Sequence, residues 1–144
     1  MQPLLVETAD AVLAAAIPFI VLVLAIANAA TRYVAHRQNV EQAEEHGAEG
    51  IERYPVHSAM NVLLVLATFY YVLVDLHTGV ILATFALTLL VTDVFEYESR
   101  LVEARTDRPI EMPKAAIGAS VFMLAYAGFV VLVELFGAFW TPVI

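Results

Sequence analysis

From Ala11 to Thr31 the chain carries no ionisable side chain. A helix needs about 20 mostly apolar residues to cross about 30 Å of hydrocarbon, so this stretch alone narrows the folds open to the chain. The stretch from Tyr54 to Thr92 contains one carboxylate, Asp75, and is too long for a single span. It breaks at Asp75-Leu76-His77-Thr78-Gly79, where Gly79 is expected to end one helix and the polar groups to reach a surface. A last stretch follows Pro113 and runs to Phe139 with Glu134 as its one charge between Ala115 and Phe139. Pro113 suits a first-turn position, where a missing amide hydrogen costs nothing.

The pattern predicts an all-α, integral membrane four-helix bundle with spans at about 9–31, 57–77, 79–99 and 114–139. Composition agrees. Apolar residues make up 61% and charged residues 15%, against about 45–50% and about 25% in soluble domains. The mean hydropathy is +0.79. A signal peptide is disfavoured for the first span, because residues 1–10 hold Glu7 and Asp10 but no base. Pro18 is expected to kink the first helix rather than end it.

Lys and Arg set the orientation of a membrane chain. Arg32, Arg37 and Arg53 fall in the first connection, and Arg100, Arg105, Arg108 and Lys114 in the third. All seven bases thus lie on one side, expected to be cytoplasmic, with both termini outside. Trp140 and Thr141 then belong at the outer boundary. The two cytoplasmic connections read as helical extensions. The first is stopped by Gly47 and Gly50; the other carries a Glu96–Arg100 pair at the favoured four-residue spacing. Each half is a span, an extension, a loop ending in Pro55 or Pro113 and a returning span, a plan open to a parallel two-fold repeat or to any pair of membrane hairpins.

Fifteen acids against seven bases give a net charge of −8. That balance argues against nucleic acid and acidic headgroups as partners, and with one Lys it suggests a salt-loving source. There is no Cys, which excludes disulfides, thiolate metal sites and Cys nucleophiles.

Ionisable groups near or within spans are the functional candidates. On the inner side Asn28, Arg32 and His36 share one face of the first helix, His57 and Asn61 one face of the second, and Asp93, Glu96 and Arg100 lie on the third. They could form a buried Arg–carboxylate network that sets helix register, or a proton or substrate route. A relay needs polar stations in mid-membrane, and the central stretches offer only Thr68, Thr84, Thr88, Ser120 and Tyr126, none of which exchanges protons readily at neutral pH. On the outer side Asp75, His77 and Glu134 are either a cation or proton cluster or helix caps. The four His residues lack the spacing of di-iron or zinc helices, and His57 and His77 sit at opposite ends of one predicted helix, which disfavours haem. No phosphate-cradling Gly loop or nucleophile elbow occurs. The expectation is no catalytic residue, no metal and no cofactor. Small residues four apart, such as Ala25 with Ala29 and Ala116 with Ser120, permit close helix approach.

The segments Tyr54-Pro-Val-His-Ser-Ala-Met-Asn61, Ala67-Thr-Phe-Tyr-Tyr71, Thr92-Asp-Val-Phe-Glu-Tyr-Glu-Ser-Arg100 and Val102-Glu-Ala-Arg105 resemble a family of small uncharacterised four-span membrane proteins of haloarchaea. The resemblance covers nearly the whole chain and implies no activity or site residues. The expected function is a non-enzymatic accessory or structural subunit of a membrane complex. Its partners would be the lipid bilayer and other membrane subunits or copies of itself. A small ion, proton or solute transporter or channel is the alternative, and a haem-binding or redox helper a further one.

Overall fold

The computed structural model describes the backbone of residues 2–140 and the side chains of residues 7–137. Four helices follow in order: α1 Gln2–His46, α2 Pro55–Val74, α3 Leu76–Arg105 and α4 Lys114–Trp140. All four contain segments long and apolar enough to cross a membrane. The side chain of Trp140, and Thr141 altogether, lie outside the described residues.

Each helix packs on its neighbours in the chain, and α4 closes the ring on α1. The reason is a shared spacing. The buried positions are Ile17, Val21, Ala25, Asn28, Arg32, Ala35 and Asn39 on α1, and His57, Asn61, Leu64, Thr68 and Tyr71 on α2. On α3 they include Gly79, Leu82, Ala86, Leu89, Asp93 and Arg100, and on α4 Ala116, Ser120, Met123, Ala127 and Val130. Within each set the steps are three and four residues, with one full seven-residue step on α3. That period keeps one narrow stripe facing the bundle axis and favours antiparallel packing at about 20°. The other faces leave Val23, Leu66, Leu73, Val91, Phe122 and Phe129 exposed. An apolar exterior this extensive is what lipid, rather than water, tolerates.

The bundle has two unlike ends. At the turn end α2 passes into α3 through one non-helical residue, Asp75. Its amide donates to the Tyr71 carbonyl at 2.8 Å, closing α2, and its carbonyl accepts from the Gly79 amide at 2.8 Å, opening α3. Its carboxylate accepts from the Thr78 hydroxyl at 3.0 Å and, more weakly, from the Thr78 amide at 3.4 Å. Gly79 therefore does not terminate a helix, as its position in the sequence suggests. It lies inside α3, and a Cβ there would meet the backbone of Val72 at 2.4 Å. Glycine is needed because two antiparallel helices joined by a single residue must nearly touch.

At the loop end α1 and α3 run on past the first turns of α2 and α4. Pro18 lies inside α1 without ending it. The α1 extension stops at His46, where Gly47 takes the left-handed φ of +70° and a short 3-10 turn, Gly47–Gly50, follows. Pro55 is the first residue of α2. Pro113 stands just before α4, its carbonyl accepting from the Ile117 amide at 2.9 Å. The Glu103 carboxylate takes the Glu111 amide at 2.8 Å and so ties the α3–α4 loop back to α3.

Gly79→Ala should lower stability by about 1–3 kcal/mol, the cost of overpacking a tight site. Loss of helical circular dichroism during titration with a denaturing detergent measures it, and an unchanged midpoint would contradict the close α2–α3 approach.

A buried polar layer as candidate functional site

Seven polar side chains from all four helices meet in one layer near the loop end. At its centre Arg32 forms a two-pronged pair with Asp93: Nε donates to Oδ1 at 2.8 Å and Nη2 to Oδ2 at 2.8 Å. The two residues are 4% and 8% exposed, so the pair is desolvated on both sides. Arg32 Nη2 also donates to Asn28 Oδ1 at 2.6 Å, one turn earlier on the same helix, and Nη1 donates to the Ser120 hydroxyl on α4. Asn28 Nδ2 in turn donates to Asn61 Oδ1 on α2 at 2.6 Å.

His57 completes the layer from the first turn of α2. Its Nε2 lies 2.9 Å from Asp93 Oδ2 and its Nδ1 lies 2.8 Å from the Thr31 hydroxyl. With the ring proton on Nε2, His57 donates to the carboxylate and accepts from Thr31. The Thr31 hydroxyl has one proton to share between His57 and the Asn28 carbonyl at 3.0 Å. In this tautomer Arg32 and Asp93 cancel and the layer carries no net charge.

Asp93 stands 17 residues after the start of α3. At a rise of about 1.5 Å per residue the layer lies roughly 26 Å from the turn end, close to the thickness of bilayer hydrocarbon. The polar groups thus occupy one edge of the apolar zone. Between them and the turn end the axis is filled by Val21, Leu64, Leu82, Leu89, Met123 and Ala127. Thr68 is buried there, but its hydroxyl bonds to the Val65 carbonyl of its own helix at 2.9 Å.

Beyond the layer a second tier ties α1 to α3 and to the returning loop. Arg100 Nη1 donates to Asn39 Oδ1 at 3.0 Å, and Asn39 Nδ2 donates to the Glu52 carbonyl at 2.9 Å and to Gln42 Oε1 at 3.1 Å. Both tiers pair residues 61 apart, Arg32 with Asp93 and Asn39 with Arg100, so α1 and α3 keep one register across a full heptad.

Of the residues singled out from sequence, Asn28, Arg32, His57, Asn61 and Asp93 come together. Arg100 belongs to the second tier. Glu96 is half-buried near the Ala115 amide, and the expected Glu96–Arg100 helical pair is replaced by the Arg100–Asn39 bond. His36 is half-buried, and its Nδ1 has no partner. On the turn side Asp75, His77 and Glu134 are exposed, and no hydrogen bond joins them. Asp75 is a helix cap there. Ser120, Thr31 and Asn39 enter the network without having been expected in it. The signal for Asn39 was its place seven residues after Arg32 on the same stripe, and for Ser120 its place on the buried face begun by Ala116. Among the described residues no three His, Asp or Glu side chains converge as a metal site.

Removing one partner of a buried ion pair strands the other charge. Asp93→Asn should therefore cost about 3–5 kcal/mol, well above the about 1 kcal/mol expected for losing the neutral hydroxyl in Ser120→Ala. Detergent unfolding of both variants ranks them, and equal losses would mean that Arg32 is not held as described.

No curated protein and no solved structure matches the chain. A family model described as a domain of unknown function (DUF7313) matches residues 2–144. The chain belongs to that family.

Proposed function

We propose that the chain is a multi-pass protein of the cell membrane that acts without catalysis, as an accessory or structural subunit of a membrane assembly. The observation that carries this reading is the internal commitment of the polar layer. Arg32 and His57 both bond to Asp93, Arg32 also to Asn28 and Ser120, and His57 to Thr31, so the layer offers neither an idle nucleophile nor an unbonded acid or base. A mostly apolar core of Leu, Met and Val, in which the Thr68 hydroxyl bonds to its own helix, separates the layer from the turn end, which favours a fixed bundle over a proton or solute route. Transport through Asp75, His77 and Glu134 draws no support from their exposed, unjoined positions.

In this reading the loop end faces the cytoplasm and both termini face outward, since all seven bases belong to the two long connections. The α1 and α3 extensions then project beyond the membrane. Their outer surfaces carry Arg37, Glu41, Glu44 and Arg105, all exposed, as groups a partner subunit could pair with.

Gentle extraction followed by native mass measurement tests the accessory role. The expected species is heavier than one 15.8 kDa chain, and its excess mass should fall away in Arg105→Glu. A lone chain with nothing attached overturns the proposal. Reporter tags fused to the two ends test orientation and should both report the outer compartment. Tags in opposite compartments would overturn the four-span topology.

A further inference from the structure

A cleft of about 160 Å³ opens between α1, α2 and α3 beside the polar layer. Its wall holds two guanidinium groups, Arg53 and Arg100, and one carboxylate, Asp93. That carboxylate is already occupied on both oxygens, by Arg32 and His57. The cleft is therefore left with cationic donors and no free anion of its own.

Arg100 is the unusual group. It is 6% exposed, makes one side-chain hydrogen bond, to Asn39, and its Nε has no partner. Glu96 and Glu103 lie near enough to act on its charge through space, but neither accepts a hydrogen bond from it. A buried guanidinium whose Nε has no acceptor is costly unless one is supplied. Arg53 reaches the same cleft from the loop before α2. It lies 4.1 Å over the Tyr97 ring, which holds its plane, while its contact with Glu98 is long, 3.8 Å, and exposed. The Ser58 hydroxyl on the wall adds a neutral donor.

We propose that this cleft binds a phosphate group through Arg100 and Arg53, with Ser58 as an additional donor. Planar guanidinium forks match tetrahedral oxyanions better than any other side chain. The chain's net charge of −8 repels anions at long range, so recognition must come from short-range hydrogen bonding inside the cleft. The cleft lies at the edge of the apolar zone, where the phosphate of a lipid headgroup and a free phosphate could both reach it. The proposal does not rest on the accessory-subunit reading and concerns the isolated chain.

Calorimetric titration of the detergent-solubilised full chain with inorganic phosphate, against chloride at matched ionic strength, tests the soluble source. Thermal melting in bilayer discs with and without phosphatidylglycerol tests the lipid source. Saturable phosphate binding, weakened at least tenfold in Arg53→Gln and lost in Arg100→Gln, supports the site with a soluble ligand. Phosphatidylglycerol raising the melting temperature of wild type but not of Arg53→Gln supports it with a lipid ligand. Arg53 lies at the surface, so its variant keeps the test valid even where Arg100→Gln fails to fold. If neither probe separates wild type from a folded Arg53→Gln, the proposal is wrong.

Discussion

The Arg32–Asp93 pair is the constraint on which the rest of the bundle depends. It joins α1 to α3 across the axis, and through Ser120, Asn28 and His57 it reaches α4 and α2. In a lipid setting apolar side chains gain little by leaving lipid for the bundle axis, so packing and interhelical hydrogen bonds must hold and align the helices. A pair of opposite charges at one depth allows a single register. Sliding either helix by one turn would leave a guanidinium or a carboxylate unmatched in an apolar medium, at a cost of several kcal/mol. The pair adds specificity more than net stability, because desolvating both charges offsets much of their attraction.

The apolar core and the polar layer divide the labour along the axis. From the turn end to the layer the stripe is mostly Leu, Met, Val and small residues, with Tyr71 among them, and close packing is the main adhesive, joined by the Tyr70 hydroxyl donating to the Asp10 carboxylate at 2.7 Å between α2 and α1. At the turn end the chain reverses in one residue because Asp75 caps both helices and Gly79 lets them touch. At the loop end the reversals are long, and Asn39, Gln42 and Glu103 bond the returning segments to the helices they follow. The end that carries every base is thus also the end where long connections are hydrogen-bonded back to their helices.

Net charge and local charge point in different directions here. An excess of eight negative charges describes the surface seen from afar. It says nothing about the cleft, where Arg53 and Arg100 outnumber a single carboxylate that Arg32 has already neutralised. Within a few ångströms the direction of N–H bonds decides what is held, and screening by salt removes the longer-range repulsion.

Much of the fold was legible in the sequence. Long uncharged stretches require helices with lipid-like exteriors, Gly47 requires a break, and Pro55 and Pro113 mark helix starts, all because backbone chemistry acts locally. Five members of the polar layer were legible as a set, since Asn28 with Arg32 and His57 with Asn61 stand four apart on their helices and Asp93 lies toward the same end of α3. Their pairing was not. A helix offers an Arg several partners, and spacing alone favours the neighbour four residues away; the structure instead gives the Arg100 hydrogen bond to Asn39 on another helix, with Glu96 acting on Arg100 only through space. Gly79 misleads for the same reason, because glycine's ability to end a helix is local while the need for close approach arises only when α2 lies against α3. Sequence by itself determined which segments are helical, which polar faces the first two helices carry and that every base falls in the two long connections. Only the tertiary structure decided which charge meets which, because that depends on the depth and rotation of four helices at once.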